Sequence, residues 1–186
     1  MPKQITPLPE ILRPKILNDI IGQEKLLSQN GLITRILSKK PLSSFILWGP
    51  PGCGKTTLAR VISEELNIES FELSAVFSGV NDLRKIFEKA IQNFSDEKQT
   101  IIFVDEIHRF NKSQQDSFLS YIEKGIVTLI GATTENPSFS LISALLSRCQ
   151  VVTLEKLGKE YLIALKIKAE KMGLYKRSEL IDKLTS

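Results

Sequence analysis

The chain has 186 residues, 42% hydrophobic and 25% charged, with a formal charge of +4. That is enough chain for one domain with its own core, with a fraction left over. Two cysteines far apart, Cys53 and Cys149, exclude a disulfide-dense scaffold and fit a reducing compartment. A single histidine, His108, excludes a His-based metal centre, and no run of about 18 apolar residues is present to span a membrane.

Charge is uneven along the chain. Residues 1–40 carry seven basic and three acidic side chains, residues 41–154 ten and thirteen, and residues 155–186 eight and five. Basic flanks around a slightly acidic centre suit contact with phosphates, although solvated surface lysine gives the same pattern.

Three prolines precede Pro14, so the chain is expected to start as an extended arm rather than a signal peptide. A helix is expected over Glu24–Ser38, stopped by Lys39, Lys40 and Pro41. Phe45–Trp48 reads as a buried strand, and Thr56–Leu66 as a helix with Leu58, Val61, Ile62 and Leu66 on one face. Ile68–Leu73 reads as a second strand. Asn81–Phe94 is a helix whose inward face holds Leu83, Ile86, Phe87, Ala90, Ile91 and Phe94. Thr100–Val104 is an unbroken apolar strand, of the kind covered on both faces of a parallel sheet. A polar helix at Ser113–Glu123, a strand at Val127–Ala132, a helix at Leu141–Ser147 and a strand at Gln150–Leu154 follow. Two amphipathic helices, Lys159–Met172 and Ser178–Leu184, close the chain. Strands alternate with helices, which predicts an α/β fold with a five-stranded parallel sheet. The division expected is an arm and helix over 1–40, a core over 41–157, and the start of a helical unit over 158–186.

Gly49-Pro50-Pro51-Gly52-Cys53-Gly54-Lys55-Thr56 has the spacing G-x-x-x-x-G-K-[ST] of a phosphate-binding loop, between a buried strand and a helix. Its glycines free backbone N–H groups to surround phosphate oxygens, and the helix N-terminus favours their charge. Lys55 is expected on the β- and γ-phosphates and the Thr56 hydroxyl on Mg2+, with Thr57 beside it. The apolar strand ending in Asp105-Glu106 delivers two carboxylates to the sheet end where such folds bind ligand. Asp105 is expected to hold Mg2+, mostly through water, and Glu106 to polarise the attacking water.

Together these motifs resemble an AAA+ ATPase. The runs Asp19-Ile20-Ile21-Gly22-Gln23, His108–Asp116 and Ala132-Thr133-Thr134-Glu135-Asn136-Pro137-Ser138-Phe139 resemble one branch, the replication-associated recombination protein A family with its eukaryotic relative, the Werner helicase-interacting protein. The likeness covers about residues 12–157. It implies a P-loop AAA+ fold followed by a helical lid, with ATP and Mg2+ as ligands. It implies that Ile20, Ile21 and Gly22 shape the adenine pocket. Thr134 takes the first sensor position, with Thr133 the neighbouring candidate. Arg148 is the arginine finger that reaches nucleotide on the next subunit.

The implied partners are further copies of the chain and DNA, held by its backbone without sequence preference, with Lys3, Lys15, Lys39, Lys40 and Lys112 as basic candidates. Single-strand-binding protein is a further implied partner, no membrane is involved, and the implied setting is the bacterial cytoplasm at the nucleoid. A clamp-loader or RuvB-type motor subunit is the alternative; a nucleotide-binding remnant with little turnover is another.

Three residues read less directly. Cys53 replaces the threonine common in such loops, and its side chain is expected to point away from the phosphates; a thiol at a helix N-terminus beside a lysine can be acidified, but no redox role is expected of it. His108 reads as structural or DNA-facing, because the resemblance assigns the base to Glu106. In the lid the resemblance implies a second sensor arginine within Gly-Asp-x-Arg. After Leu157 the sequence offers only Arg177, in a different context. The chain is therefore expected to stop within the lid at Ser186, and weak Mg·ATP binding with slow hydrolysis is expected of it.

Overall fold

The computed structural model describes residues 11–174. Lys3, Arg177 and the expected helix Ser178–Leu184 lie outside the described residues. Helices α1 (Glu24–Leu27) and α2 (Leu32–Leu37) lead into β1 (Phe45–Trp48), α3 (Lys55–Glu65), β2 (Glu69–Ser74), α4 (Val80–Ser95) and β3 (Thr100–Asp105). There follow α5 (Lys112–Asp116), α6 (Leu119–Glu123), β4 (Thr128–Thr133), α7 (Pro137–Ser140), α8 (Ser143–Leu146), β5 (Gln150–Thr153) and α9 (Lys159–Lys171).

The five strands form one sheet in the order β2-β3-β4-β1-β5, and every pairing is parallel. Side chains of a strand alternate between faces, and two cores result. On one face Phe45, Leu47, Ile101, Phe103 and Ile130 pack with Ile33 and Ile36 of α2 and Leu58 and Ile62 of α3. On the other, Ile46, Ile102, Val104 and Leu129 pack with Leu83 and Phe87 of α4, Phe118 and Leu145. Phe87 stacks on Tyr121 (centroids 4.1 Å) and meets Phe118 edge-on (5.1 Å), which fastens α4 to α6. The central strands β3 and β4 are buried almost throughout, whereas the edges β2 and β5 expose Glu69 and Val151.

Two expected helices are each two short ones. Glu24–Ser38 breaks at Ser28–Gly31, where a side chain on Gly31 would sit 2.2 Å from the Leu26 carbonyl oxygen. Ser113–Glu123 breaks at Ser117-Phe118, whereas the helix expected at Leu141–Ser147 forms over Ser143–Leu146, with a further short helix, Pro137–Ser140, before it. The inward face of α4 is also different from that expected. Ile91 and Phe94 are exposed, and Asn93 is buried in their stead, donating to Glu69 Oε2 (2.6 Å) and Thr100 Oγ1 (3.0 Å). An amide turned inward here satisfies polar atoms at the sheet's lower end, which an aromatic ring would leave bare. Helix α9 forms as expected but leaves Leu162, Ile163 and Ile167 exposed, so its apolar residues do not make one buried stripe.

Candidate functional site

All five strands end on the same side of the sheet, and the loops that follow β1, β3 and β4 meet there. The loop after β1 depends on backbone conformation. Gly52 (φ 73°) and Gly54 (φ 96°) both lie in the left-handed region, which costs glycine nothing and other residues about 1–2 kcal/mol. This curl returns the chain to the start of α3. There Lys55 is buried and donates from Nζ to the carbonyl oxygens of Gly49 (2.8 Å) and Pro50 (3.0 Å). The ammonium is thus held across the mouth of the loop that Gly49, Pro50, Pro51, Gly52, Cys53 and Gly54 form. Thr56 and Thr57, half-buried, follow it in the first turn of α3.

Strand β3 brings Asp105 and Glu106 to the same edge. Burial, and then the charge of Glu106, raise the Asp105 carboxyl above its ordinary value, against smaller lowering effects of the Glu106 N–H and Lys55. A carboxyl whose ionised form is penalised in this way, beside an amine and a second carboxylate, suits a cation. Its folded value lies above its unfolded one, so as pH rises through that interval the folded state loses stability. Asp105→Asn is therefore expected to raise the thermal stability of the ligand-free chain near neutral pH, by at most about 1 kcal/mol because the group is partly solvated and screened. The same substitution is expected to weaken Mg2+-dependent nucleotide binding; calorimetric melting with and without Mg·ATP checks both.

Glu106 has φ 52°, a left-handed conformation unusual for a side chain of its kind, and strain of this sort gathers at sites where geometry matters. The turn aims its carboxylate at β4. Thr134 Oγ1 donates to Glu106 Oε2 (3.3 Å), while Thr133 is fully buried and turns its hydroxyl to the ring of His108. Of the two threonines, Thr134 is the one beside Glu106.

A small cleft lies beside the loop after β1. Pro14, Ile20, Ile21, Cys53, Thr57 and Tyr161 are among the residues lining it. Gly22 closes its rim, with φ 86° and with its Cα so near Leu157 that an added methyl would lie 2.7 Å from Cδ2. Gln23 fastens this rim to the end of β5. Its amide donates to the Glu155 carbonyl (2.7 Å) and accepts from the Glu155 N–H (3.1 Å). Tyr161 of α9 was not expected at the site; in the sequence it is only one apolar position of a helix.

Burial raises the Cys53 thiol above its ordinary value, outweighing the nearby Lys55, so the thiol is not acidified. It is 2% exposed and packs against the core beneath the loop. Of the two readings of His108, structural and DNA-facing, its surroundings fit the structural one: its side chain is 5% exposed and lies against Glu106, Thr133 and Glu135.

Arg148 stands apart from all of this. Parallel register places Phe45 beside Gln150 and Trp48 beside Thr153, so Arg148, just before β5, is at the opposite end of the sheet from the phosphate loop. The four-residue intervening strand is about 13 Å long at about 3.3 Å per residue. Its guanidinium donates from Nε to Glu123 Oε1 (2.7 Å), from Nη2 to the same oxygen, and from Nη1 to the Ala144 carbonyl (2.7 Å). From there it does not reach the phosphate loop of its own chain. Next to it, burial pushes the Cys149 thiol up to about 12.

Sheet order, phosphate loop and paired carboxylates together define a P-loop nucleotide-binding domain. Residues 45–157 match the ATPase family associated with various cellular activities, AAA, and the chain belongs to that family. It is 53% identical over 86% of its length to ATPase WRNIP1 of Dictyostelium discoideum, of which it covers 18%. It is also 53% identical, over 83% of its length, to the replication-associated recombination protein A of Escherichia coli, of which it covers 34%. The chain thus spans about a third or less of these relatives. Among solved structures it is similar to the Thermotoga maritima RuvB Holliday junction branch migration motor, with a TM-score of 0.67 and 32% identity over 87% of this chain and 55% of that one.

Proposed function

We propose that the chain binds ATP with Mg2+ and hydrolyses it, as the ATPase module of a protein that works on DNA in replication-associated recombination and repair. The observation that carries this is the convergence of the curled Lys55 loop with Asp105, Glu106 and Thr134 at one sheet end, in a chain 53% identical to a replication-associated recombination protein.

In this reading Gly49–Gly54 and Lys55 hold the phosphates, and Ile20, Ile21, Gly22 and Gln23 form the wall of the adenine cleft. Thr56 and Asp105 hold Mg2+. The ion, when bound, supplies positive charge to the phosphate oxygens. Glu106 accepts the proton of the attacking water, and Thr134 orients Glu106 or the γ-phosphate. Residues 41–157 are the core of the module, and α9 begins its lid.

Copies of the chain assemble so that Arg148, after giving up Glu123, reaches the neighbour's nucleotide. Its position at the far end of the sheet supports action in trans. Arg148→Ala is expected to leave ATP affinity unchanged and to lower turnover about tenfold, the worth of one charge-assisted hydrogen bond, only at concentrations where copies associate. Turnover per chain measured against protein concentration checks this.

DNA is held through backbone phosphates. Lys15, Lys39, Lys40 and Lys112 are all exposed and available for it. Likeness to the RuvB motor favours a second reading, a subunit that works on branched junctions. Comparing binding to DNA ends, gaps and four-way junctions at several salt concentrations decides between them. Among the described residues no helix is long and apolar enough to cross a membrane. The proposed setting is the bacterial cytoplasm at the nucleoid, with single-strand-binding protein as a partner.

A further inference from the structure

His108 is the only histidine in the chain, and it is buried among acceptors. It lies in the short 3-10 turn Ile107–Arg109 that follows Glu106. Nδ1 is 3.0 Å from Thr133 Oγ1 and 3.2 Å from Glu106 Oε2, and Nε2 is 3.5 Å from Glu135 Oε1. The ring therefore bridges the end of β3 to the turn after β4.

The proton on Nδ1 can be assigned from its neighbours. The Thr133 hydroxyl has one hydrogen, which it donates to the Glu135 carbonyl (3.2 Å), and it accepts the Glu135 N–H (3.1 Å). What it offers His108 is its remaining lone pair. The Glu106 carboxylate only accepts. Nδ1 must then be the donor: its N–H bonds to Thr133 Oγ1 and lies 3.2 Å from Glu106 Oε2.

We propose that His108 is a positioning residue for Glu106: its Nδ1–H and the Thr134 hydroxyl together pin Oε2 of that carboxylate and leave Oε1 to the attacking water. Glu135 holds the far side of the ring, and the buried Thr133 fixes its tilt. Without the ring, the carboxylate on its left-handed turn keeps one partner of two. Its angle to the water is then no longer fixed, and a misplacement of about 1 Å can cost about 100-fold in rate. The inference rests on the assignment of Glu106 as the base in ATP hydrolysis.

The test has two parts on the 186-residue chain. Steady-state ATP turnover and nucleotide affinity are measured for wild type, His108→Ala, His108→Asn and Glu106→Gln. Asn keeps an N–H near the Nδ1 position and loses the contact with Glu135. Expected are a fall in turnover of roughly 10- to 100-fold for His108→Ala with unchanged ATP affinity, and substantial recovery in His108→Asn. Wild-type turnover in His108→Ala, or an Asn variant as slow as the Ala variant, overturns the proposal. Turnover that persists in Glu106→Gln instead overturns the assignment of the base.

The second part needs no turnover. Nitrogen-15 spectra of the single imidazole read its protonation directly. A protonated Nδ1 in wild type, with a resonance that shifts in Glu106→Gln, is expected. An unprotonated Nδ1, or a resonance that Glu106→Gln leaves in place, overturns the proposal.

Discussion

Glu106→Gln is expected to lower ATP turnover by about 10²- to 10⁴-fold, the usual contribution of a positioned base, while ATP affinity stays within about threefold, under 1 kcal/mol. The change keeps the size of the side chain and one oxygen to accept from Thr134 Oγ1, so the turn after β3 should survive it. What is lost is the negative charge that takes the proton from water. Removing that charge also lifts the second-largest cause of the raised Asp105 carboxyl, so Asp105 should ionise more readily in the variant. Mg2+ affinity should fall little for this reason. Pre-steady-state measurement of phosphate release, with nucleotide binding followed separately, checks both halves of the expectation.

Lys55→Ala is expected to act on the other side of the ledger and weaken ATP binding about 100-fold or more. Hydrogen bonds from a charged donor contribute about 1.5–3 kcal/mol each, and one ammonium at the mouth of the loop serves more than one phosphate oxygen. In the ligand-free fold the same ammonium neutralises the inward carbonyls of Gly49 and Pro50. Truncation therefore leaves buried carbonyl oxygens with a lost donor, and a modest loss of stability is expected with the loss of affinity. Lys55→Arg should not rescue. The planar, longer guanidinium does not fit where a compact ammonium is buried among backbone atoms. Equilibrium titration of the three proteins with a fluorescent ATP analogue measures the effect.

These expectations come from residues that the sequence alone already placed at the site. The reason is physical. The sheet's central strands carry little but apolar side chains, since both of their faces are covered, so Phe45–Trp48 and Ile101–Val104 are plain in the sequence and their ends locate the phosphate loop and the paired acids. Local spacing then gives Lys55, Thr56, Asp105 and Glu106 their places.

What escaped the sequence depends on distance along the chain. His108 acquires its surroundings from Thr133 and Glu135, on another strand's end, and no local pattern announces that. Gln23 finds its partner 132 residues away, at Glu155. Gln115, within the run that marks the family resemblance, is buried and stitches the Phe110 and Ser140 carbonyls to the Ile142 N–H. It therefore serves packing, where a motif alone suggests chemistry. The Cys53 thiol is raised and not lowered because its spatial neighbours are the core, although its sequence neighbours are a helix start and a lysine. Helix breaks at Ser28–Gly31 and Ser117-Phe118 were missed because a polar, periodic stretch reads the same whether it is one helix or two.

Arg148 shows a different limit. Its motif predicts a finger, and the register of β5 against β1 shows only that the finger does not reach the phosphate loop of its own chain. The pair with Glu123 gives the guanidinium a resting partner at the sheet's lower end. Engagement of a neighbour then costs that ion pair, which is half-exposed and worth about 1 kcal/mol or less, so assembly is not expected to be opposed strongly by it.

The central claim is that one end of this sheet is a site for Mg·ATP. Titrating the 186-residue chain with ATP by calorimetry, with and without Mg2+, tests it most directly. Saturable one-to-one binding that Mg2+ strengthens and that Lys55→Ala abolishes is predicted. Binding that is equal in wild type and Lys55→Ala, or no binding by wild type at millimolar ATP, would contradict it.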